Sequence, residues 1–287
     1  MTNVTVTPRR PVEAAEEGPS EAAPGKLGRS GSRRLKSALG LVLPATLIAA
    51  WEVGALAGLI STRLLPPPSQ IGQTILDLAR AGDLGQHALA TLGRVWWGFL
   101  LGVIVATTLG AASGVSPLFK RLFDPTLQAL RNIPSIAWIP LFILWFGIFE
   151  TPKILLIAVG VFFPVYLTLA GAIGNVDRKL VEVGRIYRFS TLALIRRILI
   201  PASLPTYVIG LRGGLGLGWM FVVAAEFMGA SKGFGYLLID GQMTGRPSII
   251  IASIVLFATC GKLSDLALAT LGSHLISWQD GYSPGTA

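Results

Sequence analysis

Residues 95–118 read VWWGFLLGVIVATTLGAASGVSPL, and no charged side chain lies between Arg94 and Lys120. This run is longer than the ~20 apolar residues that a transmembrane helix needs. Further apolar segments occur at about 38–60, 128–148, 153–174, 204–226 and 247–270. The sequence therefore predicts an all-α polytopic membrane protein with about six transmembrane helices, or five if one segment is re-entrant.

The composition agrees with this class. Of the 287 residues, 52% are hydrophobic and 14% are charged, whereas a soluble domain carries about 25% charged residues. This excludes disorder and a disulfide-stapled secreted fold for most of the chain. Cys260 is the single cysteine, and neither His87 nor His274 has a Cys, His or carboxylate at metal-ligand spacing. We therefore expect no metal site. The sequence also has no Gly-x-x-x-x-Gly-Lys-Ser/Thr phosphate loop and no Ser/His/Asp or paired-carboxylate arrangement, so we expect no cofactor and no catalytic residues.

The net charge of +9 is distributed unevenly among the loops. Basic residues cluster before the first apolar segment, between the second and third, and between the fourth and fifth. They are Lys26, Arg29, Arg33, Arg34, Lys36, Lys120, Arg121, Arg178, Lys179, Arg185, Arg188, Arg196 and Arg197. The positive-inside rule then predicts that both termini are cytoplasmic. We expect the lipid bilayer as a partner and no nucleic acid, because no basic cluster is interleaved with stacking aromatic residues.

The chain divides by composition into three parts. Residues 1–37 are rich in Pro, Ala, Glu, Ser and Gly and predict a disordered basic cytoplasmic tail, not a signal peptide. Residues 38–280 form the predicted transmembrane domain, and 281–287 form a C-terminal tail. Within the domain, the connection at 61–92 predicts an amphipathic helix that begins near Ile71 and lies on the outer surface.

Small residues and prolines mark how the spans pack. A four-residue spacing of small residues predicts close helix packing within one subunit, with sliding helices or a dimer seam as the alternative. These residues are Gly98, Gly102, Ala106, Gly110 and Gly114 in the second span, and Gly210, Gly214 and Gly218 in the fifth. Pro134, Pro140 and Pro164 lie within spans and predict kinks.

The segment 175–201 reads NVDRKLVEVGRIYRFSTLALIRRILIP. Asn175 or Asp177 can cap a short helix whose apolar stripe comprises Leu180, Val183 and Tyr187. A second short helix at about 190–199 is predicted to end at Pro201. From the residues alone, this segment is either an interfacial helix on the inner leaflet or an element that docks into a partner protein.

This segment resembles a motif of permease subunits of ABC importers: Glu-Ala-Ala, three residues, Gly, nine residues, then Ile-x-Leu-Pro. The sequence matches at Glu182, Ile198 and Pro201, with Ile200 in the Leu place, and departs at three positions, Val183, Gly184 and Arg188. The resemblance implies that 175–201 is the coupling loop held by an ATPase subunit. The residues implied in coupling are Asp177, Arg178, Leu180, Glu182, Val183, Gly184, Arg185, Tyr187, Arg188 and Pro201.

Further motifs over residues 60–280 are similar to those of permeases for aliphatic sulfonates, taurine and nitrate. They are Leu65-Pro66, Arg131-Asn132-Ile133-Pro134, Ile139-Pro140-Leu141, Leu144-Trp145-Phe146-Gly147, Gly233-Phe234-Gly235-Tyr236-Leu237 and Gly261-Lys262-Leu263-Ser264-Asp265. The resemblance implies a type I ABC importer permease fold in the bacterial plasma (inner) membrane. It also implies a second permease copy, an extracytoplasmic solute-binding protein and separate subunits that bind ATP.

Ionisable and polar residues inside the spans are candidates for a translocation path. The candidates are Arg212, Glu226, Asn132 and Trp145. Arg212 could instead snorkel or form a structural ion pair, Glu226 could be a solvated carboxylate, and Glu52 is predicted to be structural. Other solutes remain open as alternatives, namely a thiamine-precursor pyrimidine, a riboflavin-like compound or bicarbonate. An ATP-independent secondary transporter and a membrane enzyme are the alternatives of other classes.

Overall fold

The computed structural model describes residues 29–276 and Trp278. Most of the predicted N-terminal tail and all of 281–287 lie outside the described residues. The described residues divide into two units, with the boundary between Ala50 and Trp51. Helix α1 (Arg29–Leu56) begins inside the segment predicted as the N-terminal tail, and the division of the chain into tail and transmembrane domain stays a prediction.

Ten more α-helices follow in the described part of the chain. They are α2 (Pro68–Arg80), α3 (Asp83–Val115), α4 (Pro117–Arg131), α5 (Ile139–Phe146), α6 (Glu150–Gly174), α7 (Arg178–Ile186), α8 (Thr191–Leu194), α9 (Ile200–Phe227), α10 (Phe234–Met243) and α11 (Pro247–Leu275). A 3₁₀ helix (Ser135–Trp138) precedes α5, and a π-helix (Ile195–Leu199) joins α8 to α9.

Four helical stretches of the described residues are long and apolar enough to cross a membrane: α3, α6, the continuous α8–α9 stretch and α11. Counting the bent pair formed by α4 with the helices that follow it gives five. The apolar part of α1, Val42–Leu56, is shorter. The polytopic all-α class is confirmed, whereas six spans and cytoplasmic termini stay predictions.

The third apolar segment, 128–148, is not one continuous helix. Helix α4 begins earlier, at Pro117, and the chain bends by 93° between Arg131 and Ser135. Pro134 causes this break, because proline disfavours the helical conformation of the residue before it. Its predicted kink is confirmed. Pro140 instead lies in the first turn of α5, where a missing N–H is tolerated.

Helix α6 is the centre of the bundle, with α3 and α9 packed on it. Gly98 lies against Ile157 and Gly114 against Ile173, so α3 and α6 run parallel. Gly210 lies against Thr168 and Gly218 against Val161, so α9 runs antiparallel to α6. The glycine rows therefore serve close packing within one subunit, as predicted. Fully buried side chains of α6 fill this core: Leu156, Ile157, Val161 and Val165.

The parallel course of α3 and α6 fixes what the chain between them must do. It leaves α3 at Val115 and enters α6 at Glu150, at opposite ends of the two helices. The bent segment must therefore return across the bundle, which favours a broken span over a re-entrant loop. Helix α11 runs antiparallel to α9, since Gly272 lies against Val208 and Gly261 against Trp219.

The predicted amphipathic helix in 61–92 is confirmed as α2, which buries Ile71. Its first turn explains Glu52, which sequence reasoning left without a partner. The Glu52 carboxylate accepts hydrogen bonds from the Ser69 amide and hydroxyl at 3.0 and 2.7 Å. A carboxylate at a helix N-terminus satisfies amides that have no partner within the helix. Glu52 is thus structural, as predicted.

Candidate functional site

The first half of the 175–201 loop is a capped helix. Asp177 precedes α7, and its carboxylate accepts a hydrogen bond from the Lys179 amide at 2.9 Å. Such a cap satisfies one of the free amides of the first turn. Arg178 Nε donates to Glu182 Oε1 at 3.1 Å, four residues along the same face. The helix predicted from Asp177 onward is confirmed.

A left-handed residue ends α7. Arg188 has a φ of 51°, the only positive φ of a non-glycine residue in the described part of the chain. The Phe189 amide donates to the Gly184 carbonyl at 3.0 Å, and the Arg188 amide to the Arg185 carbonyl at 2.9 Å. These two bonds form a Schellman motif, in which glycine normally takes the left-handed position. The turn is therefore kept although Arg188 stands at that position.

The second half of the loop continues into α9. Ser190 caps α8 through a 3.3 Å bond from the Ala193 amide. The predicted stop at Pro201 is wrong, because the helix passes through the π-segment into α9 and Pro201 lies in the first turn of α9. Proline needs no N–H partner there. A Cβ atom added at Gly184 would lie 2.6 Å from Leu194 Cδ1, so the two halves of the loop are in direct contact.

The outward face of α7 is apolar and flanked by charge. Leu180 and Val183 are each 47% exposed and Tyr187 is 72% exposed. The charged residues around this stripe are also exposed, namely Arg178, Glu182, Arg185 and Arg188. An apolar stripe with a polar rim is typical of a protein docking surface.

A partly buried ion-pair network joins the N-terminal part of α3, the start of α6 and the end of α9. Arg94 donates from Nε and Nη2 to the Glu150 carboxylate at 2.6 and 2.9 Å, and from Nη1 to Glu226 at 2.8 Å. Lys153 also bonds to Glu150, at 3.1 Å. Glu226 is fully buried, so the solvated alternative was wrong. We call Arg94, Glu150 and Glu226 the outer network, because the positive-inside rule predicts that this end of the bundle faces outward.

The outer network also holds the loop before α10. Thr91 donates to Glu226 and accepts from the Phe234 amide, at 2.7 and 2.9 Å. The Gly235 amide donates to Glu226 as well. A Cβ atom at Gly233, whose φ is 129°, would lie 2.5 Å from the Glu226 carboxylate. The Gly-Phe-Gly motif therefore lets the backbone approach a buried carboxylate closely.

Sequence reasoning missed Arg94 and Glu150 as members of a site. Arg94 is 56 residues from Glu150 and 132 from Glu226, so no local pattern marks them. The one available signal is an arginine at the edge of an apolar run, which also fits an ordinary span boundary.

The four candidate path residues lie in different surroundings. Arg212 forms a bidentate pair with Asp265 of α11, with N–O distances of 2.8 and 2.9 Å. Asn132 is exposed at the break after α4. Trp145 is 58% exposed and packs on Phe142. In the described part of the chain, no three His, Cys, Asp or Glu side chains are grouped so that they could hold a metal ion.

A bundle of apolar helices that carries a capped, exposed loop between α6 and α9 is the arrangement that the resemblance to membrane permease subunits implies. The chain belongs to the family described as the binding-protein-dependent transport system inner membrane component, which matches residues 98–276. It is a multi-pass inner-membrane permease subunit of an ABC importer. Membership of this family implies an ATPase and a solute-binding protein as partners.

Relatives and a solved structure agree with this assignment. The chain is 39% identical to the aliphatic sulfonates transport permease SsuC of Bacillus subtilis, over 94% of this chain and 98% of the relative. It is 31% identical to the taurine permease TauC of Escherichia coli, over 86% and 91%, and 26% identical to the nitrate permease NrtB of Leptolyngbya laminosa, over 96% and 98%. A chain of the inward-facing MetNI methionine ABC transporter shares the fold, with a TM-score of 0.59, 19% identity, and coverage of 66% of this chain and 94% of that one.

Proposed function

We propose that two copies of this chain form the translocation path for a small anionic solute such as an aliphatic sulfonate, taurine or nitrate. The solute-binding protein delivers the anion from outside, and ATP binds only to the partner ATPase subunits. The observation that carries the proposal is the 39% identity, over 94% of the chain, to a protein named as an aliphatic sulfonates permease. A homodimer is the simplest assembly for a single permease sequence.

The exposed stripe of α7 is the proposed ATPase docking surface. Its apolar centre supplies buried area, and Arg185 and Arg188 supply charge that orients the partner. Contacts of Gly184 with Leu194 and Ile198 pass a displacement of α7 to the helical stretch that continues into α9. ATP-driven closure of the ATPases would in this way tilt α9 and open the path outward.

The four candidate path residues keep separate proposed roles. Asn132 and Trp145 present exposed side chains from the bent segment and are the proposed lining of the path. Arg212 is partly exposed within its pair with Asp265, and an anion that competes with Asp265 would meet its guanidinium. Glu226 is enclosed by the outer network and is proposed to hold the outer ends of the helices together.

Reconstitution in vesicles tests the proposal. The chain with its ATPase and binding protein should import radiolabelled taurine, methanesulfonate or nitrate only when ATP is present on the ATPase side. Uptake without the ATPase would instead indicate a secondary transporter. If the vesicles import only a riboflavin-like compound, a pyrimidine or bicarbonate, that compound and not a sulfonate, taurine or nitrate is the solute.

The docking surface has its own test in the same vesicles. We expect R185E/R188E to lower uptake at least about tenfold, because like charges across an interface cost several kcal/mol. Arg63 is exposed in the connection before α2, so R63E is a matched charge reversal that should leave uptake unchanged. Equal uptake by the two variants would exclude α7 as the docking surface.

A further inference from the structure

The break after α4 exposes an arginine at the level of the membrane interior. Arg131 is the last residue of α4, and both Arg131 and Asn132 are exposed. Leu127 and Leu130, on the same turn of α4, line an apolar cavity of about 330 Å³ with Val105 and Phe162. Val105 and Phe162 lie near the middle of the apolar segments 95–118 and 153–174. Arg131 therefore lies close to mid-depth.

Arg131 differs from the other two arginines that the helices carry into the apolar region. Arg94 is neutralised by Glu150 and Glu226, and Arg212 by Asp265. Within the described residues, no carboxylate lies within 4.0 Å of the Arg131 guanidinium, which is the distance that defines the other pairs. A charged side chain at this depth faces water or protein and not lipid, because transfer into hydrocarbon is costly.

The backbone around Arg131 also indicates surroundings of water or protein and not of lipid. Helical bonding stops with the Ile133 amide on the Leu130 carbonyl and resumes with the Ala137 amide on the Pro134 carbonyl. Irregular backbone at membrane depth occurs only where it is buried in protein or lines a water-filled cavity. Asn132, Ile133 and Pro134 are exposed in the single chain. The break therefore either lines a water-filled path or packs against the second copy.

We propose that Arg131, with Asn132 beside it, is the site that recognises the anionic group of the solute inside the membrane. The guanidinium presents paired N–H donors that match two oxygens of a sulfonate or nitrate group, and the Asn132 amide adds a further donor. In secondary transporters, broken helices near mid-depth form the substrate site, and we extend that location to this permease. This inference rests on the proposed import of an anion and adds the residue that selects it.

The test uses the complete importer in vesicles, with radiolabelled taurine and nitrate as probes. R131Q should lower ATP-driven uptake of both at least about tenfold, which is the size expected for a lost charge-assisted hydrogen bond. R121Q is the matched control, because Arg121 is exposed near the start of the same helix and should import like wild type. Wild-type uptake by R131Q would overturn the proposal.

A second arm guards against misfolding of R131Q. In a C260S background, R131C should react with water-soluble methanethiosulfonates, and saturating taurine should slow the reaction. An aminoethyl reagent restores a positive charge that carries N–H donors and should restore part of the uptake, whereas a sulfonate reagent should not. If neither reagent reacts with R131C, water does not reach this position, and the proposed site is overturned.

The two proposals fail in distinguishable ways. A wild-type complex that imports neither anion contradicts the proposed function and, with it, the anion site. If the wild-type complex imports taurine, and the two Arg131 variants import it at the same rate as wild type, only the inference about Arg131 is contradicted.

Discussion

Charge at single residues is the clearest physical constraint in this protein. Arg94 is shielded from water and is shared by two carboxylates, of which Glu226 is fully buried. Such an arrangement is stable only while it is complete, because each remaining charge keeps its desolvation penalty when its partner is removed.

Replacing Arg94 alone should therefore destabilise the subunit strongly. We expect R94M to cost about 3–5 kcal/mol, the range for breaking a buried pair, and to lower the melting temperature in detergent clearly. Arg80 forms only an exposed pair with Asp77, so R80M should melt like wild type. Equal melting of R94M and R80M would show that the outer network contributes nothing to folding.

Arg188 shows how far a sequence motif can predict geometry. Glycine takes the left-handed position of a Schellman motif at no steric cost, and an arginine there disfavours it by about 1–2 kcal/mol. The substitution of Arg188 for the glycine of the motif leaves the geometry of the turn open at the level of sequence. The structure keeps the turn, because the contacts of Gly184 with Leu194 and Ile198 fix the position of α7 on the second half of the loop.

Among the elements, α3 owes its position to its row of small residues. A Cβ atom at Gly102 would lie 2.7 Å from the Ala158 carbonyl oxygen, which is backbone and cannot move aside. Gly93 on the same helix has no neighbouring atom within 4 Å of an added Cβ atom. The spacing of the glycines predicted this packing, because the backbone separation depends on the side chains along the contact.

The two glycines give a matched pair for measurement. G102A should cost about 1–3 kcal/mol through overpacking, and G93A should be neutral or slightly stabilising because alanine favours helix. Thermal unfolding of the purified subunit reports both. A G102A protein as stable as G93A would mean that α3 can separate from α6 without loss.

At the scale of the whole molecule, the sequence predicted class, family and most helices, because apolar length and charge placement act locally along the chain. It predicted a kink at Pro134 but not the size of the bend, 93°. It also did not predict the partners of Glu226. Both depend on which distant segments meet. Arg94 and Glu226 are joined only after α3, α6 and α9 have packed.

The predicted orientation in the membrane can be measured on intact cells. In a C260S background, we expect a membrane-impermeant maleimide to label T244C, between α10 and α11. T191C in the 175–201 loop should react only after permeabilisation, since its basic surroundings are predicted to be cytoplasmic. Both positions are exposed. Labelling of T191C in intact cells would reverse the orientation.

The outer network also constrains the order in which the protein can be made. Glu226 is 132 residues downstream of Arg94, so α3 emerges from the ribosome long before its buried carboxylate partner exists. In that interval the guanidinium has to stay hydrated near the headgroups, where a long side chain can reach water. Final burial of Arg94 thus waits for α9, and a nascent chain that lacks α9 carries an incomplete charge cluster that distinguishes it from a finished subunit.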